Sequence, residues 1–454
     1  MGPCRLLKTI FAQFLGKYRV VSALFGKIER LTFTGTFDAF QHLVKSHSFK
    51  QICFPHRSEM GVLKSFLRSL PDEISNDLPV KIGGIVPSLI EDSEAGFDPD
   101  LIVDTKDQRK MDRFILFALA AAKEALETAG WHPTSDYERE RTATIIASGI
   151  GGFPAIASAV RITDTRGARR LSPFTVPSFL ANLAAGQVTI RYGFTGPIGT
   201  PVTACAASVQ AIGDAARLIR SNEADIALCG GAEACIDKVS LGAFAAARAL
   251  STGYNTTPEL ASRPFDAGRD GFVMSEGAGL IVIEELEHAL ARGATPIAEL
   301  VGYGTSADAH HMTAGPEDGR GAARAMKIAL QSAGLKPIDI QHLNAHSTST
   351  PVGDRGEIAA IKSVFGNHDV AVSATKSATG HLLGAAGGIA AIFTILALRD
   401  QIAPPTRNLA NPDPAVAGID LVYQSSRPIL MEHAISNGFG FGGVNASVAF
   451  RRWQ

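Results

Sequence analysis

Four short segments of this chain carry side chains suited to covalent chemistry. Cys205 sits where an apolar run ends in a small-residue turn and a long Ala-rich helical pattern begins. That spacing puts the thiol at a helix N-terminus, where unpaired N–H groups and the positive end of the dipole favour a thiolate. The thiolate is the nucleophilic form, so covalent catalysis is one reading. A buried structural thiol is the other. Asn344-Ala-His346-Ser-Thr-Ser-Thr-Pro-Val-Gly-Asp354 places a His just after an apolar strand. Lys376-Ser-Ala-Thr-Gly-His381 sets a Lys and a His around one turn, and Asn437-Gly-Phe-Gly-Phe441-Gly-Gly-Val-Asn445 is a Gly-rich loop with two Phe.

Taken singly, each segment has a plainer explanation. A His beside a strand is usually a hydrogen-bonded structural residue, and Lys376 alone reads as a surface charge. His346 and His381 could share a metal, but no Cys, His or acid stands at ligand spacing to help them, so no metal is expected. The Gly-Phe loop lacks the Lys-Ser/Thr of a nucleotide P-loop and also reads as a tight turn with core Phe residues.

The elements that must position these groups are legible from about residue 110 onward. Met111 to Gly130 has helical periodicity. Thr142 to Ser148, Asp225 to Gly231 and Gly279 to Glu284 read as buried strands. Ile297 to Gly304 is strand-like, Gly319 to Ala333 is helical, and Ile340 to Ala345 and Val370 to Ala374 lead into polar turns. Strands alternating with Ala-rich helices imply α/β layers. The Cys205 segment and the Lys376–His381 segment share one design: strand, polar turn, small-residue helix. That implies an internal duplication with the two helices packed on each other. The expected halves are 1–296, carrying the Cys, and 297–454, carrying both His. The first 80 residues are the least readable; Tyr18 to Phe25 and Arg30 to Gly35 each fit a strand.

The 454 residues are 46% apolar with a formal net charge of −1. A sizeable core is available, and nothing global points to nucleic acid or an anionic membrane. The five cysteines are scattered without CxxC spacing, which fits a reducing cytoplasm. No apolar run reaches a membrane span, and Gly387 to Leu398 reads as a buried helix. The first 28 residues hold Arg5, Lys8, Lys17, Arg19 and Lys27 and no acid, which admits a transit peptide, while sparse Ser and the absence of an evident cleavage signal weigh against one.

Together the four segments are far more specific. From roughly Leu78 to Phe450 the chain resembles the elongating, type II β-ketoacyl-[acyl-carrier-protein] synthases of the thiolase-like superfamily. Gly230-Gly-Ala-Glu233, Leu171-Ser-Pro-Phe-Thr-Val-Pro-Ser and Arg263-Pro-Phe-Asp-Ala-Gly-Arg-Asp-Gly-Phe272 add to it. The resemblance implies a duplicated five-layer α-β-α-β-α fold and a decarboxylating Claisen condensation that needs no cofactor. It assigns Cys205 the acyl thioester and makes His346 and His381 neutral donors to the enolate. One such donor is worth about 3 kcal/mol in comparable sites. Lys376 would organise its neighbours electrostatically. The N–H groups of Cys205 and Phe441 would hold the oxyanion, with Phe441 as gate. Lys106, Arg109, Lys110, Arg169, Arg170 and Arg248 match positions that dock an acidic acyl carrier protein. A cytoplasmic homodimer, joined through a strand next to the nucleophile, is also implied.

The chain departs from the family in places. The stretch to about residue 78 lacks the usual opening strand, for which Tyr18-Arg-Val-Val-Ser and Leu31-Thr-Phe-Thr-Gly35 are imperfect stand-ins. Ser347 replaces a Gly, Ala390 a Glu and Gly438 a Ser. A thiolase would need a second Cys near the C-terminus, and none follows Cys235. A non-catalytic chain-length factor would lack the nucleophile.

Overall fold

The computed structural model describes residues 31–34, 65–93, 96–366 and 368–453. Among the described residues, eleven strands form one sheet. In chain order they are β1 (Leu31–Thr34), β2 (Thr142–Ala147), β3 (Ile198–Gly199), β4 (Ile226–Glu233), β5 (Gly277–Glu285), β6 (Pro296–Ala307), β7 (His342–Asn344), β8 (Ala371–Ser373), β9 (Asp420–Leu421), β10 (His433–Gly440) and β11 (Val444–Arg452). The helices that position the site are α1 (Arg113–Ala129), α2 (Leu183–Tyr192), α3 (Ala207–Arg220), α4 (Arg320–Ala333), α5 (Pro351–Phe365) and α6 (Ala386–Asp400).

The strand order, β9-β8-β7-β10-β11-β6-β1-β5-β4-β2-β3, contains the duplication. β3-β2-β4-β5-β1 is matched by β8-β7-β10-β11-β6. In both sets the first two pairings are parallel and the last two antiparallel. The halves join where β1 pairs with β6. β2 and β4 are buried along their whole length, which is why they read as unbroken runs of apolar and small residues rather than alternating ones.

α3 and α6 pack against strands of both halves, α1 and α2 cover one outer face, and α4 and α5 serve the other. This gives five layers. The small residues of α3 and α6 are there because the helices touch closely. A Cβ on Gly387 would lie 2.4 Å from a Val209 methyl, and Gly388 N donates to Ser208 Oγ at 2.8 Å. The segment Leu383–Asp400 is long and apolar enough to cross a membrane, yet 83% of it is buried inside the protein. α1 ends at Gly130 in the left-handed region, the conformation glycine takes without strain.

Of the two segments expected to open the sheet, Leu31–Thr34 forms a strand, set antiparallel between β5 and β6. Tyr18 to Phe25 and the basic first 28 residues lie outside the described residues.

Candidate active site

Two turns of the same shape face each other across the central helix layer. After Thr203 the chain makes a 3-10 turn, Ala204–Ala206, and runs straight into α3. After Leu382 it makes another, Leu383–Ala385, and runs into α6. Ala204 (φ +48°) and Leu383 (φ +45°) are both left-handed without being glycine. Such backbones are held at a cost of about 1–3 kcal/mol each. The strain in the first turn aims Cys205 out of the helix start. In the second turn the residue at the position of Cys205 is Gly384, and His381 precedes it.

The two turns bring Nε2 of His381 to 2.9 Å from Sγ of Cys205. The His346 ring, carried at the end of β7, lies edge-on to His381 with centroids 5.6 Å apart. An aromatic wall encloses the three groups. Phe272 meets the His381 ring edge-on at 5.2 Å. Phe439 lies 5.6 Å from His346. Phe244 spans from Phe272 at 5.5 Å to Phe441 at 6.4 Å. Phe441 itself is 37% exposed, at the mouth. The Gly-Phe loop reaches the Cys205 turn because Gly440 has no side chain; a Cβ there would lie 2.8 Å from Thr203 O and 3.1 Å from Cys205 N. The backbone N–H groups of Phe441 and Cys205 both reach the sulfur and favour its anion.

Burial sets the charge states. Desolvation, with the nearby Lys376 ammonium as second cause, holds His346 and His381 well below the usual imidazole range. Both rings are therefore uncharged near neutral pH. Lys376 is buried, its Nζ has no hydrogen-bond partner among the described residues, and desolvation lowers it to about 8. Glu357 is its strongest charge partner, ahead of Cys205 and Asp354.

The expectation of a ready-made thiolate needs correction. Cys205 does sit at a helix start, but desolvation pushes its thiol up to about 12 against the pull of Lys376. That disfavours the anion by roughly 4 kcal/mol, more than the ~0.3–2 kcal/mol a helix terminus returns. The resting group is the thiol, in contact with His381.

Comparison with known proteins places this geometry. Residues 58–289 match the family model "Beta-ketoacyl synthase, N-terminal domain" and residues 297–410 the model "Beta-ketoacyl synthase, C-terminal domain". The chain belongs to the β-ketoacyl synthase family. It is 51% identical over 379 residues to a 3-oxoacyl-[acyl-carrier-protein] synthase 2 of Rhizobium meliloti (strain 1021), covering 83% of this chain and 89% of the relative. A solved ishigamide ketosynthase/chain length factor superposes with a TM-score of 0.82 at 30% identity, over 94% of this chain and 100% of that one. A type II polyketide ketosynthase solved in complex with its acyl-carrier protein superposes at 0.79 and 28% identity, again over 94% and 100%. As in those condensing enzymes, the fold is the duplicated thiolase-like architecture that the resemblance implied.

Within this β-ketoacyl synthase frame, several residues about the site were not singled out from the sequence. Glu357 accepts from His346 N at 2.9 Å, from Ser347 N at 2.6 Å and Oγ at 2.7 Å, and from Asn437 Nδ2 at 3.0 Å. It thereby joins the His346 turn to the strand that ends in the Phe loop. One signal was available: Asp354 and Glu357 are acids three apart on the α5 face that also carries Ile358 and Ile361. Ser347, a departure from the family, uses its hydroxyl on Glu357. Ala390 offers its carbonyl to Asn344 Nδ2 at 3.1 Å. Phe272 and Phe244 carried no signal beyond being aromatic.

Lys106, Arg109, Arg169, Arg170 and Arg248 are exposed. Lys110 pairs with Asp107 at 2.6 Å and lies over the Phe174 ring at 5.1 Å. That contact brings the segment of Lys106 and Arg109 beside the stretch that follows Arg170. Arg248 stands on a separate loop after the helix Lys238–Ala246.

Proposed function

We propose that this protein elongates acyl chains by decarboxylative condensation of malonyl-carrier with an acyl group held on Cys205, as a 3-oxoacyl-[acyl-carrier-protein] synthase. The observation that carries the reading is the 2.9 Å contact between Cys205 Sγ and His381 Nε2, with the uncharged His346 ring beside it.

In acyl transfer, Sγ attacks the thioester carbonyl and its proton leaves with the carrier thiolate; His381 is the group in reach to pass it. The N–H groups of Cys205 and Phe441 receive the oxyanion. Malonyl-carrier then occupies the vacated channel. Breaking its carbon–carboxylate bond releases carbon dioxide and leaves an enolate, to which His346 donates one N–H and His381, in its neutral Nε2–H tautomer, the other. Neutral rings suit this step because they donate without trapping the carbanion as its conjugate acid. The carbanion attacks the acyl carbonyl, the tetrahedral oxyanion returns to the same two N–H groups, and the Cys205 thiolate departs and is reprotonated. Lys376 balances the sulfur anion whenever it forms. Phe441 swings aside to admit the acyl chain, on the freedom of Gly440, Gly442 and Gly443.

Carrier recognition is assigned to Lys106, Arg109, Lys110, Arg169, Arg170 and Arg248, whose charge suits an acidic carrier protein. A homodimer is the assembly best supported. β3 is the edge of the sheet, and Ile190, Val176, Ile198 and Val202 are 73%, 55%, 54% and 54% exposed around it. A cytoplasmic location accords with the free thiols of Cys205, Cys229 and Cys235. Incubation of the pure protein with malonyl-carrier and acyl-carriers of graded length, read by mass spectrometry, tests the function. Two-carbon extension is expected; an acyl-free Cys205 and unchanged carriers would refute it.

A further inference from the structure

One buried carboxylate outside the reacting groups ties the turn after β2 to the turn that carries His381. Glu233, at the end of β4, is fully buried. One of its oxygens accepts from Gly149 N at 2.6 Å and from Gly384 N at 2.9 Å. The other accepts from Ser148 Oγ at 2.9 Å and from Cys235 Sγ at 3.4 Å. Ser148 Oγ in turn accepts from Gly151 N at 3.0 Å. A single side chain from the first half thus holds the turn after β2 and, across the pseudo-twofold, the turn that carries His381.

The approach it holds is unusually close. A Cβ on Gly384 would stand 2.0 Å from Gly149 N, so only glycine permits the two backbones to share one carboxylate oxygen. Leu383, immediately before, is the left-handed residue of this turn at φ +45°. Strain of this kind persists only where the surroundings enforce it. On the far side of the turn, His381 is anchored by its own backbone: its N–H donates to Val273 O at 2.8 Å, and its carbonyl accepts from Ser275 N at 3.0 Å. The strained residue therefore lies between two fixed points, and Glu233 supplies the second. Gly384 is the residue at the position Cys205 occupies in the other half, and this bond fixes its turn against the turn after β2.

We infer that Glu233, through the Gly384 N–H, is the positioning residue that keeps the His381 ring within hydrogen-bond reach of Cys205. Glu233 does not touch the reacting atoms. The inference deepens the proposed condensation and rests on it for its kinetic consequences, but the geometric claim stands apart.

The test compares wild type, Glu233→Gln, Glu233→Asp and Ser148→Ala. Glu233→Gln keeps the volume but leaves one acceptor oxygen for the four donors that Glu233 serves. Glu233→Asp keeps the charge but withdraws it from Gly384. Ser148→Ala removes a donor to Glu233 without touching the His381 turn. The readouts are acyl uptake by Cys205, and kcat and KM for carbon dioxide release from malonyl-carrier. Expected in Glu233→Gln is a fall of at least tenfold in kcat for decarboxylation and a parallel fall in acyl uptake, since His381 serves both steps, with KM within about threefold of wild type and Ser148→Ala near wild type. A merely structural role would raise KM and lower Tm along with both rates. If Glu233→Gln does not fold, Glu233→Asp is read in the same way. A folded variant whose decarboxylation kcat and acyl uptake both stay within about threefold of wild type overturns the inference. Should wild type itself neither take up acyl groups nor decarboxylate, the enzymatic reading fails instead. The positioning is then decided by a crystal structure of the folded Glu233 variant. His381 Nε2 still in contact with Cys205 Sγ there refutes it.

Discussion

Nε2 of His381 lies 2.9 Å from Sγ of Cys205, although 176 residues separate them in the chain. The contact joins a turn of one half to the equivalent turn of the other. In the proposed reaction it lets a thiol that burial keeps protonated act as a nucleophile. A proton acceptor stands in place, and two N–H groups wait for the anion.

Removing the sulfur should separate the two half-reactions. Cys205→Ala abolishes acyl uptake and lowers condensation by more than about a thousandfold. Carbon dioxide release from malonyl-carrier persists, since both imidazoles remain. Mass spectrometry of the protein and a carbon dioxide assay check the pair.

The imidazoles should show the converse. His346→Ala leaves acylation of Cys205 intact and slows decarboxylation by roughly a hundredfold, the usual loss for one donor to a developing oxyanion. Because burial holds both rings uncharged, the decarboxylation rate should show no inflection near pH 6.5. Pre-steady-state measurement from pH 5.5 to 8 reads this directly.

Lys376 should govern the reactivity of the thiol. Its ammonium opposes the upward push on Cys205, so Lys376→Met slows alkylation of Cys205 by iodoacetamide at pH 7 by roughly threefold or more. In wild type the cation is lost as pH passes about 8. The rise of the alkylation rate with pH should therefore flatten there and stay unbroken in the variant.

The close seat of the Phe loop predicts a sharp penalty at Gly440. Its Cβ would press on Thr203 O and Cys205 N, which are backbone atoms and cannot swing away. Gly440→Ala should displace Phe441 and its N–H, with a loss of order a hundredfold in kcat/KM. Thermal unfolding separates this from global damage: Tm should move by only a few degrees.

His342 should contribute to the loss of stability in acid, with the same sign as the buried His346 and His381. It is fully buried, and desolvation lowers it to about 3 from 6.5. Ser373 Oγ donates to Pro404 O and so accepts from His342 Nε2, which fixes the uncharged tautomer. The unfolded chain binds a proton below about pH 6.5 that the folded one refuses, so stability falls as pH drops from there toward 3. The slope is about 1.4 kcal/mol per pH unit. Asp354 and Asp112, raised to about 7 and 6, act with the opposite sign in both proteins. Urea unfolding at pH 5 and 7 should show His342→Gln with the shallower acid loss.

Much was legible beforehand because it is local. β2 and β4 announce themselves by unbroken apolar runs, α1 by its periodicity and terminal glycine, and the Cys205, His346, Lys376 and His381 segments by residue type. Seeing the same strand–turn–helix design twice was enough to infer the duplication and the pairing of α3 with α6. Neighbours along the chain determine all of these.

What only the tertiary structure decided depends on distances between remote segments. Residue types imply a thiolate at a helix start, but desolvation in the folded core pushes it toward the thiol. Glu357 and Glu233 look like ordinary acids on a helix and a strand end. Their roles exist only because the His346 turn, the Phe loop and the two glycine turns converge on them. Charge state and hydrogen-bond partnership follow from what is excluded from water and what is brought near, and the order of residues alone does not encode either.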